Sequence, residues 1–437
     1  MGTRMMPLDP PTVGAWVVGA LALTVLLVAP GWALDRLLGR DDRPPFLAAW
    51  LHRVGLSVAW VSWSALGLAQ LGWFDVRVLT ALAGVPAAIA FARRRRLAPA
   101  AFAKPRPRDL ALVILLAAVG STTLWPPFED VFGGRDNGVY VAAGVRLARH
   151  GGIRFVDPLV RDLPAEQRDL FFHPVRPGRR GVPPRLAGFY LEDQEQGRVA
   201  PQFMPVPSLW IAIVTGFLGV QPALGVTIAF ALLALAWIHR TGEELDGPWV
   251  GAGAAAVVGT CVLEAWFGRS HLSEIPDQAL SFAALASAMA FARGGGRAYA
   301  VAAAALLVLT LVTRIDALLV ALPLASALGV HALVRPGVRG EKWLAGVGLV
   351  LGAWCVLTWS TTVHAYVVEV FLKNLPDQPR RWALGPRALV AVGIALGALL
   401  VGCRRAVGPW IERGLRSIAA LGPAWAVGLV WLALYAW

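Results

Sequence analysis

The feature that most constrains this chain is a succession of long, nearly uncharged apolar runs, each able to cross roughly 30 Å of hydrocarbon. They fall at about 12–34, 47–71, 76–92, 109–126, 222–239, 249–266, 276–292, 298–313, 315–333, 343–362, 386–402 and 418–436. A backbone in lipid must satisfy its own N–H and C=O groups, and a helix does so within one segment. The pattern therefore predicts an all-α polytopic membrane protein with about twelve transmembrane helices.

Composition agrees. Of 437 residues, 57% are hydrophobic and only 15% charged, far from the balance of a soluble domain. The formal charge of +13 raises nucleic acid as a partner. The arginines, however, sit in short clusters between apolar runs rather than along one face, which marks positive-inside anchors and argues against nucleic acid. Cys261, Cys355 and Cys403 lie in or at the ends of apolar runs and show no metal-ligand spacing. The first run is not closed by a small-residue cleavage site, so it reads as a retained helix rather than a signal peptide. The expected setting is a bacterial inner (plasma) membrane, with the chain multi-pass.

A thirteenth stretch, Phe203 to Val220, is short and carries Pro205 and Pro207 at its start. Treating it as a juxtamembrane or re-entrant segment puts Arg93–Arg96, the Arg293/Arg297 pair, Arg335–Lys342 and Arg404–Arg416 all on the cytoplasmic side. Both termini are then extracytoplasmic, and Pro127 to Gln221 is one large first outer loop. Gly268–Asp277 and His364–Trp382 form smaller outer segments, and Thr313–Asp316 a tight outer turn. Trp125, Trp266, Trp359 and Trp382 fall near the outer ends, as an interfacial aromatic belt requires. In the first run, Gly14, Gly19 and Ala22 share a face of the kind that lets helices approach closely.

The outer loop opens with carboxylates. In the stretch Phe128–Gly152, Glu129, Asp130 and Asp136 precede a pattern of Tyr140, Gly144, Leu147 and Ala148 at helical spacing, with Arg146 and Arg149 off that face. This predicts an amphipathic helix lying on the membrane with Asp136 at its start. An Asp there can simply cap the helix, and Gly-Arg-Asp-Asn-Gly is turn chemistry. A carboxylate at the mouth of a membrane cavity can also act as a general base.

The run Asp136-Asn137-Gly138-Val139-Tyr140, followed by Gly151-Gly152, resembles the first-loop motif of GT-C superfamily glycosyltransferases, closest to glycosyltransferase family 39, the protein O-mannosyltransferase type. Further matches follow in order. Phe203 to Trp210 resembles the proline-marked end of the first loop, Phe267 to Glu274 the second outer loop with its acidic residue, and Thr313-Arg314-Ile315-Asp316 an Arg-acid turn. The similarity spans roughly residues 109–333. It implies a catalytic membrane module there, preceded by a three-helix extension (1–108) and followed by C-terminal transmembrane helices (334–437). It also implies an inverting enzyme that moves a sugar from a polyprenyl-phosphate-linked donor to an extracytoplasmic glycan, lipid or protein acceptor.

On this resemblance Asp136 is the base and Glu274 a second catalytic acid. Arg135, Tyr140, Arg269, His271, Asp277, Arg314 and Asp316 are the substrate-binding candidates. The sequence departs from the family in carrying Asn137 where Glu is common. Each position also has a structural reading: Glu274 and Asp277 can cap a helix beside Pro276, Arg269 can meet ordinary lipid headgroups, and Arg314 can pair locally with Asp316. The dispersed His150, His173 and His364 argue against a histidine zinc site. A divalent cation held by carboxylates stays open, with no ligands assigned. A lipid or polysaccharide flippase or transporter, and a non-catalytic cell-envelope assembly protein, are the alternatives. The transporter is disfavoured because charges sit at the ends of the runs and no broken helix is evident.

Overall fold

The computed structural model describes residues 13–39, 44–94, 104–131, 135–172, 183–186, 188–335 and 337–374. The runs expected at 386–402 and 418–436 lie outside the described residues, as do Trp382 and Arg404–Arg416.

In order, the helices are α1 (Val13–Leu38), α2 (Phe46–Leu71), α3 (Val76–Ala92), α4 (Pro107–Val119), α5 (Asp136–His150), α6 (Pro158–Asp162), α7 (Ala165–Phe171), α8 (Val206–Leu218), α9 (Val220–Ala223) and α10 (Val226–Asp246). Then come α11 (Pro248–Gly259), α12 (Val262–Arg269), α13 (Glu274–Ala292), α14 (Arg297–Thr310), α15 (Leu318–Val334), α16 (Glu341–Leu357) and α17 (His364–Asn374). π-Helical turns, Gly120–Leu124 and Thr358–Thr362, prolong α4 and α16.

The protein is a mostly helical membrane protein. Six helical segments are long and apolar enough to cross a bilayer: α1, α2, α13, α4 and α16 with their π turns, and Val220–Asp246 spanning α9 and α10. The α11–α12 pair makes a seventh if it is one span, bent by 67°. The expected count of crossings is thus not reached in the described residues. Helices α14 and α15 sit where runs were expected but are shorter, while α3 matches its run at 76–92; the 14 residues of α14 rise only about 21 Å. The expected runs at 298–313 and 315–333 are cut short because residues 311–317 form the turn that carries Arg314. The break after α11 also corrects the expectation of unbroken helices.

Two ends of the bundle are defined by contacts. At one end, Phe74 N–H donates to Gly151 O (2.9 Å), Phe128 N–H to Arg269 O (2.9 Å) and the Trp359 indole to Leu311 O (2.9 Å). At the other, Arg53 pairs with Asp35 (2.9 Å), and an ionic lattice joins α4, α10 and α13. In it Arg108 meets Glu243 at 3.2 Å, Arg240 meets Glu243 at 2.7 Å, and Glu244 receives both Arg240 and Arg293. There α10 and α11 approach so closely that a Cβ on Gly242 would lie 2.7 Å from Gly251 Cα.

Both ends of α8 are at the loop end. Its first amide donates to Val312 O (3.4 Å), and Gly216 lies against Val76 at the start of α3. It thus does not follow the length of the bundle. Gly19 of α1 packs on Phe217 and Leu218 of this helix, whereas Gly14 has open space beside it. Trp125 and Trp266 are exposed at the same end, as expected, but Trp359 is turned inward.

The expected amphipathic helix is α5, and its apolar face is covered by protein. Tyr140, Gly144 and Leu147 are buried, and the Ser208 hydroxyl of α8 donates to Tyr140 O (3.0 Å). A small antiparallel sheet follows, which the sequence reading of the loop did not anticipate. Strands β1 (Phe155–Val156), β2 (Arg185–Leu186), β3 (Phe189–Asp193) and β4 (Arg198–Pro201) are ordered β1-β4-β3-β2, with Tyr190 opposite Ala200 and Phe155 opposite Val199. The strands are two to five residues long, and Tyr190 and Leu191 are both buried on opposite faces, so no period-2 alternation was there to be read.

Gly144 fixes how closely α5 approaches α8, since a Cβ there would lie 2.6 Å from Ile211 and 2.8 Å from Ser208 O. Gly144→Val should therefore lower thermal stability in detergent by roughly 1–3 kcal/mol, the range for overpacking. Gly253→Ala, at a position with open space, is the control; equal melting of the two variants would contradict this packing.

Candidate functional site

The loop end of the bundle gathers side chains from six separate parts of the chain. The α14–α15 turn begins where Arg314 N–H donates to Thr310 O (2.9 Å) and ends α14. Its guanidinium then makes three contacts: Nη1 to Glu274 Oε1 at 2.6 Å, Nη1 to Ser273 Oγ at 3.3 Å, and Nε to Asp316 Oδ1 at 2.5 Å. A planar fork suits this, because it presents several donors in fixed directions to carboxylates. Arg314 and Glu274 are each about one-third exposed, so the pair is partly screened. Asp277, one turn into α13, is within electrostatic reach of Asp316, Arg314 and Glu274.

An aromatic column adjoins this charge cluster. Tyr140 of α5 is 5% exposed with its hydroxyl beside Ser273, and burial pushes the phenol well above its ordinary pKa. Phe203 stacks on Tyr140 at 5.0 Å, and Tyr366 of α17 meets Phe203 edge-on at 5.6 Å. Among the described residues Phe203 is the one non-glycine residue with positive φ, at 78°. A bulky side chain in that region carries backbone strain of roughly 1–3 kcal/mol. Burial pushes the Tyr366 phenol up to about 12; neighbouring Arg314 opposes the shift and the charges of Asp316, Asp136 and Glu369 add to it. Glu369, one turn further along α17, receives the Tyr190 hydroxyl from the sheet and pairs with Arg185 at 3.2 Å.

The expected residues divide into two groups. Glu274, Asp277, Arg314, Asp316 and Tyr140 come together. Asp136 stands at the first position of α5, exposed, with Tyr366 feeling its charge. It does not cap α5: the capping position is Arg135, also exposed, and no side chain bonds the first-turn amides. Asn137 instead donates to Asp130. Arg269 and His271 serve the packing of their own loop. Arg269 Nε donates to Pro126 O at 2.7 Å with its guanidinium 4.5 Å over Phe128. His271 is buried with Nε2 on Leu224 O at 3.0 Å, and burial lowers its pKa, so it is neutral at pH 7.

Ser273, Tyr366, Glu369 and Tyr190 complete the cluster and were missed. Their sequence separation left no local signal; only Ser273, adjacent to Glu274, lay within a motif. Among the described residues, no group of three or more His, Cys, Asp or Glu side chains is arranged to hold a metal ion. Two larger cavities are lined by residues outside the cluster. One of about 530 Å³ lies between α5 and the sheet, with Arg146, Arg149, Phe155 and Phe189 in its wall. One of about 680 Å³ lies between α2 and α16, lined by Gln70, Trp354, Thr362 and Arg154. An exposed carboxylate beside a buried array of hydroxyls and Arg-held acids suits proton abstraction next to a polar, anionic or hydroxylated ligand.

The Arg314–Glu274 tie is measurable by a double-mutant cycle of Arg314→Gln and Glu274→Gln in thermal unfolding. A coupling of roughly 1 kcal/mol is expected for a half-buried pair; strictly additive effects would show that the two side chains do not interact.

Comparison with protein-family models, with curated proteins and with solved structures finds nothing that matches this chain.

Proposed function

We propose that this chain is an inverting glycosyltransferase of the GT-C type that moves a sugar from a polyprenyl-phosphate donor to an extracytoplasmic glycan, lipid or protein acceptor. Asp136 is its general base. The observation that carries the reading is the convergence of Tyr140, Glu274, Asp277, Arg314 and Asp316, drawn from motifs up to 176 residues apart in the sequence (316 − 140), on one cluster whose aromatic edge feels Asp136. Roles follow from chemistry. Asp136, exposed and uncommitted to capping, takes the proton of an acceptor hydroxyl as it attacks the sugar's anomeric carbon, and the polyprenyl phosphate leaves with the bonding electron pair. Arg314 holds Glu274 and Asp316 in place around the cluster. Glu274 and Asp277 accept from sugar hydroxyls.

The matching topology has twelve crossings, both termini and the loop cluster outside a bacterial plasma membrane, and α8 re-entrant. In support, both ends of α8 lie at the loop end.

One observation favours a second reading, a carrier of lipid-linked sugars. The α11–α12 span is broken by 67°, and interrupted helices are a mark of transporters.

Two experiments decide. Membranes supplied with labelled polyprenyl-phosphate sugars are assayed for product with intact protein and with Asp136→Asn at matched expression. The Asn form should lose about 10²–10⁴-fold, the size of a missing general base. Equal transfer by both forms would remove Asp136 from the mechanism; movement of the donor between leaflets without product would favour the carrier. In a cysteine-free background, a single cysteine at Arg135 should react with an impermeant maleimide added outside the cell, and one at Gly294 only after permeabilisation. The reverse pattern would invert the topology.

A further inference from the structure

The polar face of α13 does not stop at the cluster. Glu274, Asp277, Gln278 and Ser281 follow one another at spacings of three, one and three residues, so they share one face of the helix. They run about 10 Å from the loop end into the bundle. Glu274 Oε2, Asp277 Oδ1, Gln278 Oε1 and Ser281 Oγ are each buried without a protein hydrogen-bond partner among the described residues. Ser281 is 9% exposed.

Glu264 faces this stripe from α12. Its carboxylate is reached by the Gln278 side chain, yet Oε1 has no partner. Helix α12 is inside-out for a soluble helix: Val262, Leu263 and Trp266 are 80%, 63% and 58% exposed, while Glu264 is 6% exposed. An acid in the first turn of α12 favours the helix dipole, but leaving one of its oxygens buried and unpaired costs about 1–3 kcal/mol.

The chemistry of the five atoms is one-sided. Four are carboxylate or amide oxygens, which accept when the acids are ionised, and the fifth is a hydroxyl. What would satisfy them is a ligand carrying several donors spread over about 10 Å. A single cation would engage one point of the stripe, and no metal geometry exists among the described acids and histidines. A polyhydroxylated ring fits both the number and the spread.

We propose that the α13 stripe, with Glu264 opposite, is a slot that reads the hydroxyl groups of a sugar, and that Gln278, Ser281 and Glu264 are specificity-determining residues. The inference rests on the reading of this protein as one that handles polyprenyl-phosphate sugars. It extends that reading from the reacting cluster to the selection of the sugar.

The test uses the full chain in lipid nanodiscs. Equilibrium binding is measured for short-chain polyprenyl phosphates carrying mannose, glucose, galactose or arabinose, and for the sugar-free polyprenyl phosphate. At least one sugar-bearing lipid should bind more tightly than the sugar-free one. Ser281→Ala, Gln278→Leu and Glu264→Gln should each reduce that advantage about tenfold, leaving affinity for the sugar-free lipid unchanged. Because Ser281→Ala removes a group that the unliganded protein leaves unpaired, its ligand-free melting temperature should equal or exceed that of the intact protein. Groups with a purely structural role would instead lower melting without altering the sugar preference. If the variants keep the full preference, or if no sugar-bearing lipid outbinds the sugar-free one, the slot is overturned. A protein that binds sugar lipids through these residues but forms no product keeps the slot and loses the transferase reading, so the two fail separately.

Discussion

A single guanidinium holds the loop end of this bundle together. Arg314 leaves the turn between α14 and α15 and ties it to the start of α13 through Glu274 and Ser273, with Asp316 gripping the other side of the fork. Ser273 in turn lies beside the Tyr140 hydroxyl of α5. Without a cation at this point, three carboxylates would face one another across a partly dry surface, an arrangement that like-charge repulsion disfavours. The turn that shortens α14 and α15 relative to their apolar runs is thus explained by what it presents. Two helices give up length so that one side chain can organise the acids around it.

The parts of the fold legible in the sequence were those written in local periodicity. The boundaries of α1, α2, α3 and α5 fall within a few residues of the apolar and amphipathic runs, because a helix in hydrocarbon announces itself by length and composition alone. The acids and arginine of the site were legible as short motifs at span ends. The illegible parts depend on contacts between distant segments. Tyr366 and Glu369 sit more than 150 residues beyond Tyr190 and Phe203 in the chain, and nothing near them marks the sheet and aromatic ring they meet. The sheet was hidden because its strands are too short, and too fully covered, to alternate. Arg269 and His271 looked like ligand residues because exposed cations in an outer loop usually are free; their commitment to Pro126 and Leu224 is a tertiary fact.

The outer sheet does more than fill the loop. Tyr190 of β3 and Arg185 of β2 both terminate on Glu369 of α17, and Tyr366 of that helix closes the aromatic column over Tyr140. The cavity between the sheet and α5 shares Phe155 and Phe189 with the strands. The sheet and the aromatic column are thus tied through the same short helix, α17. The strained backbone at Phe203 is held in place by this stacking from both sides, consistent with strain being retained where surrounding structure over-determines a conformation.

The two ends of the bundle are built from different materials. At the end far from the loop, Arg108, Arg240 and Arg293 interlock with Glu243 and Glu244 across three helices, and α10 and α11 close to backbone contact at Gly242 and Gly251. At the loop end, the acids of the cluster share a single cation, Arg314. When one arginine of the far lattice is lost, Glu243 and Glu244 each keep another, whereas loss of Arg314 removes the one cation that Glu274 and Asp316 share among the described residues.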